Sequence, residues 1–130
     1  QNDQQEITKS NVPVLYFKDM GPASMPVFIV EPNYYSVSLN LFKGVVTLIH
    51  ATRVLSANTK NIQVPDTNIK VRGIKAFITE NSSIWSVTWS EFGAFYVLDI
   101  ECAKYNDKRC SEEYVLQLAN NLVYLGGSGN

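Results

Sequence analysis

The chain has little of what most enzymes and polyanion binders carry. It holds one histidine, two cysteines and two methionines in 130 residues, and only 18% of its residues are charged. Eleven basic residues stand against twelve acidic ones, for a formal net charge of -1. With no basic excess, there is no electrostatic footprint for nucleic acid. No apolar run approaches the ~20 residues of a membrane-spanning helix. Gly-x-Ser-x-Gly, His/Glu metal spacing and a phosphate loop are all missing. The single His50, set among Leu48, Ile49 and Ala51, reads as a structural residue rather than a base or ligand. These gaps argue against an enzyme, and no metal or cofactor is expected.

What remains is apolar and β-like. Hydrophobic residues make up 45% of the chain. The length suits one domain, burying roughly two-thirds of its unfolded surface. A start at Gln1 rather than Met fits a trimmed form whose lost segment carried a signal or a lipid or membrane anchor. Residues 1–11 are polar apart from Ile7 and read as a disordered leader or tether. The domain is expected over residues 12–127.

Residues 12–17 form a short apolar segment whose Pro13 suits an edge strand. Residues 18–26 are a loop. Residues 27–30, Val-Phe-Ile-Val between prolines, read as a short buried strand. In residues 34–42, Tyr35, Val37, Leu39 and Leu41 alternate with polar residues, as in a strand with one wet face. With residues 45–54 they form a hairpin turned at Lys43-Gly44. Residues 55–68 read as a surface loop. In residues 69–80 the apolar parity inverts at Gly73, which a β-bulge or sharp bend explains.

Residues 84–102 organise the whole. Trp85, Val87 and Trp89 share one face of a first strand, and Tyr96, Leu98, Ile100 and Cys102 share one face of a second. After Cys110 the period changes to helical. Val115, Leu118, Ala119, Leu122 and Leu125 lie on one stripe, Ser111 is an N-cap and Gly126-Gly127 a stop. That predicts a C-terminal amphipathic helix of about four turns. The fold class is therefore α+β: a curved, mostly antiparallel sheet of about six strands, with the helix packed on one face.

Cys102 and Cys110 enclose seven residues. One disulfide closing a short loop is the favoured reading. Free thiols and a metal site are the alternatives, the latter short of its usual four ligands. A disulfide implies an oxidising compartment.

Val87, Trp89, Gly93, Tyr96 and Leu98, followed by Ser111, Glu113, Leu118, Ala119 and Leu122, carry a resemblance. Over residues 69–125 the chain resembles a family of bacterial extracytoplasmic domains. These occur as small lipoproteins and as outer domains of membrane-bound anti-sigma factors. The resemblance implies an envelope location and a non-enzymatic role, and it brings no catalytic residues.

The candidate interaction surface comprises Phe92 and Phe95, outside the core parity; Asp99 and Glu101, on the outer face of the last strand; and Lys104 and Arg109, in the cysteine loop. Glu91 reads as a solvated loop tip. The expected function is a non-catalytic envelope or secreted interaction or sensory module, binding a protein or envelope component. The alternative is a carrier of a small apolar ligand between sheet and helix. A filled core favours the first, and a cavity of a few hundred cubic ångströms the second.

Overall fold

Alternating apolar residues in the sequence become a single large sheet. The computed structural model describes residues 7–18, 25–53, 67–104 and 106–128. The strands are β1 (Val14–Tyr16), β2 (Val27–Glu31), β3 (Tyr34–Phe42), β4 (Val45–Arg53), β5 (Lys70–Val71), β6 (Ile74–Asn81), β7 (Ile84–Glu91), β8 (Ala94–Cys102) and β9 (Val123–Gly126). One helix, α1 (Glu112–Asn120), precedes β9. Strands β2-β3-β4-β8-β7-β6-β5 form a seven-stranded antiparallel sheet, and β1 pairs with β9 in a separate two-stranded one. The sheet thus has seven strands rather than six, because residues 69–81 supply two.

That extra strand corrects the bulge expected at Gly73. Val71 faces Ile74 and Lys70 faces Lys75, so the chain reverses through Arg72-Gly73. Both turn residues have positive φ, 54° and 81°. A two-residue hairpin with left-handed central residues matches strand twist. It puts residues three apart on one face, which inverts parity just as a bulge does.

The Trp hairpin forms as expected. Trp89 pairs with Tyr96, Val87 with Leu98 and Trp85 with Ile100, around a turn at Phe92-Gly93. The first hairpin is also as read, with Val37 opposite Ile49. Inner-face side chains of β3, β4, β7 and β8 form the core, where Tyr35, Val37, Ile49, Val87, Tyr96, Leu98 and Ile100 are fully buried. Trp89 stacks on Tyr96 with centroids 5.5 Å apart.

Strand β2 is not buried as expected. It is the sheet's edge, so Phe28 and Val30 face the interior while Val27 and Ile29 are 58% and 52% exposed. Residues 7–11, expected to be part of a loose leader, are packed against the domain. Ile7 is buried, and the buried Ser10 hydroxyl donates to the Val12 carbonyl at 2.7 Å. Residues 1–6 lie outside the described residues, as do 19–24 and 55–66 of the two expected loops and residue 54 at the end of the expected strand.

The helix is shorter than the stripe suggested. Ser111 caps it by accepting from the Tyr114 amide at 3.2 Å, and Glu112 and Glu113 occupy its first turn, as read. It stops at Asn120, however, and Val123–Gly126 turn into a strand. Asparagine is a poor helix former, and β1 competes for the residues beyond it: Leu15 pairs with Tyr124 and Tyr16 with Val123. Val115 and Ala119 of α1 reach the core, while Leu122 arrives from the connection to β9.

Polar groups clamp this inner layer to the sheet. Tyr35 Oη accepts from the Leu15 amide at 2.9 Å and donates to the Leu15 carbonyl at 3.0 Å. Tyr96 Oη donates to the Pro13 carbonyl at 2.5 Å. Burial pushes both phenols above the ordinary tyrosine range. Glu91 is not a solvated tip: its side chain is only 12% exposed. It receives Arg72 Nε at 2.8 Å and Trp89 Nε1 at 2.9 Å, and Arg72 Nη1 donates to the Leu122 carbonyl at 2.8 Å.

Candidate functional site

Strand alternation commits every second residue of the large sheet to its other face. Both α1 and β1 pack on the inner side, and no helix or strand of the described residues lies over the outer one. Cross-strand register lays the outer side chains out in rows. One row reads Val27, Ser38, Leu48, Asp99, Ser86 and Thr79. The next reads Asn40, Val46, Glu101, Ile84 and Asn81. A third contains Ile29, Ser36, His50, Val97, Thr88 and Phe77. Val27, Ile29 and Val46 are the most exposed apolar members.

Between β4, β8 and β7 the face dips into a depression of about 240 Å³ lined by Val46, Leu48, Ile84, Asp99 and Glu101. Ser86 Oγ donates to Asp99 Oδ1 at 2.5 Å. His50 is not in this lining; it is half-buried beside Tyr34, with ring centroids 6.3 Å apart. The structure thus brings Asp99 and Glu101 together and leaves His50 apart.

The other expected site residues lie elsewhere. Phe92 occupies the β7–β8 turn at φ 56° and is 46% exposed. Phe95 is half-buried on the outer face, opposite Thr52 and Ser90. Lys104 and Arg109 flank a surface groove of about 470 Å³ beyond the end of β8, with Lys43, Gly44, Ala103 and Asp107. Arg109 sits 4.9 Å above the Phe42 ring. It also grips Asp107, with Nη2 to Oδ2 at 2.8 Å. The Arg109 side chain, then its amide, hold the Asp107 carboxyl down to about 2. This local ionic lock therefore persists at neutral pH and is lost only as pH falls through about 2. The six candidates divide among a hairpin tip, the open face and the cysteine loop, not one surface.

Cys102 and Cys110 are bonded, with sulfurs 2.07 Å apart. The bond ties the end of β8 to the residue before the helix cap. Denatured but unreduced protein is expected to titrate no free thiol; finding two would refute the bond. Closing so short a loop contributes about 2.5 kcal/mol in the chain-entropy model. The Cys102→Ala/Cys110→Ala variant should lose about that much unfolding free energy in urea titration.

On the inner side of the sheet Trp89, Tyr35, Tyr96, Leu98 and Ile100 are buried in the core. Among the described residues no three His, Cys, Asp or Glu gather as a metal site. No described helix is long and apolar enough to cross a membrane. The chain matches no known family, no curated protein and no solved structure.

What sequence reasoning missed is the apolar half of the open face: Val27, Ile29, Val46, Leu48 and Ile84. The signal was only partly there. Parity separates Val46 and Leu48 from Val45 and Ile49, but a strand with apolar residues on both parities does not say which set is wet.

Proposed function

We propose that this chain is a non-catalytic interaction or sensory module of an extracytoplasmic compartment, binding a protein or envelope component through the open sheet face. The asymmetry of the sheet carries this reading. Its inner face is closed by α1 and the β1–β9 pair, while its outer face exposes Val27, Ile29 and Val46 among polar residues. Exposed apolar residues gathered on one face of a folded domain support the reading of that face as a contact site. The Cys102–Cys110 bond supports an oxidising location. The resemblance of residues 69–125 to bacterial envelope domains supports the same.

The test is site-resolved photo-crosslinking in cells. A crosslinker at position 46 should give a discrete adduct, lost when Leu48 is replaced by Glu. One at position 117, exposed on the helix, should give none. Adducts from position 117 alone would sink the proposal.

A further inference from the structure

We infer that the depression between β4, β8 and β7 seats a lysine side chain presented by a partner protein. This rests on the open-face reading above and names the chemistry of the contact. The pairing register builds the seat. Leu48, Asp99 and Ser86 form one row, and Val46, Glu101 and Ile84 the next. The carboxylates therefore run down the middle strand, with Val46 and Leu48 on one side and Ile84 beside Ser86 on the other.

Asp99 and Glu101 are two residues apart on one face, so their attachment points lie about 7 Å from each other. Neither joins the ion pairs of the described residues, Arg72–Glu91 and Arg109–Asp107. Among the described residues, Asp99 has the Ser86 hydroxyl and no cation. Both carboxylates face the same open surface, and a cation placed between them complements both charges.

Donor chemistry favours lysine. A compact ammonium with three rotatable donors can divide its bonds between two separated carboxylates, whereas a guanidinium fork matches one carboxylate bidentately. The four-carbon stem of lysine then lies along Val46, Leu48 and Ile84, burying apolar surface as such stems do. A depression of about 240 Å³ has room for one long side chain. A bare alkylamine shares this head chemistry but lacks the backbone that would lie on the rest of the face.

The probes are a capped pentapeptide Ala-Val-Lys-Val-Ala, its norleucine counterpart and butylamine, each titrated against ¹⁵N-labelled protein. The lysine peptide should shift the amides of Val46, Leu48, Ile84, Asp99 and Glu101. The norleucine peptide should bind at least about ten-fold more weakly, the equivalent of about 1.4 kcal/mol. Asp99→Asn/Glu101→Gln should lose lysine-peptide binding by a similar factor, with an unchanged Tm. Equal binding of both peptides, or binding that survives in the double variant, overturns the lysine seat. Butylamine binding as tightly as the peptide overturns the assignment to a protein segment. Each of these results leaves the crosslink from position 46 standing, so the failure of this inference is distinct from failure of the open-face reading.

Discussion

Replacing Glu91 by alanine is expected to destabilise the fold by about 3 kcal/mol, the loss typical when one member of a largely buried ion pair is removed. Glu91 sits at the end of β7 and answers two donors at once, Arg72 Nε and Trp89 Nε1. Without it, among the described residues the Arg72 side chain keeps the Leu122 carbonyl, at an exposure of 22%. The Trp89 indole is left as an orphan donor in a residue that is 2% exposed. Arg72 also anchors the helix end, because its amide donates to Asn120 Oδ1 at 2.7 Å. The damage should therefore spread to β9 and the last turn of α1. Urea unfolding followed by tryptophan fluorescence measures the loss. Glu91→Gln, which keeps an acceptor for Trp89 but not the charge, should fall between wild type and alanine. A shift below about 1 kcal/mol, the range of exposed pairs, would show that the network is only a surface pair.

The second large effect is alkaline. Tyr35 and Tyr96 both have phenols raised above 10 by burial. An unfolded tyrosine loses its proton near 10, while the folded one keeps it. Above that pH the folded state binds more protons, so stability falls as pH rises. It is fully present below about 10 and declines from there by about 1.4 kcal/mol per pH unit for Tyr35, with Tyr96 adding in the same direction. Urea midpoints between pH 8 and about 11 should show this decline. Phenolate absorbance of the two should appear only with unfolding. Tyr35→Phe should flatten the pH dependence. It should also lower neutral stability by about 3 kcal/mol, since it orphans the buried amide and carbonyl of Leu15 together. Early titration of every tyrosine while the fold persists would refute the clamp.

Much of the fold was legible because each strand writes its own alternation. Residues 34–42 and 84–102 gave their buried faces by parity alone, and Ser111 with Glu112 and Glu113 marked the helix start. Two errors came from signals that local pattern leaves ambiguous. A parity inversion at Gly73 is the same for a bulge and for a two-residue turn; pairing with β7 decides between them by using Ile74–Asn81 as a separate strand. The stripe through Leu122 and Leu125 continues the helical period, but those residues serve other layers once β1 has captured Val123–Gly126. Glu91 departs from its expected place although its parity matches Val87 and Trp89. A carboxylate invites the solvent reading until a half-buried Arg72 is placed opposite it.

By itself the sequence determined the antiparallel α+β class, the inner faces of the central hairpins, the helix cap and the nearness of Cys102 to Cys110. Each of these depends on side-chain period or on a short span of chain. Tertiary structure decided which strand lies at the sheet edge, where the helix yields to β9, and that Tyr35, Tyr96 and Arg72 hold the inner layer down. It also decided that Asp99 and Glu101 stand beside Val46, Leu48 and Ile84 on an open face, away from His50. These depend on contacts between residues tens of positions apart, and such contacts are set by strand order and register, which no local period encodes.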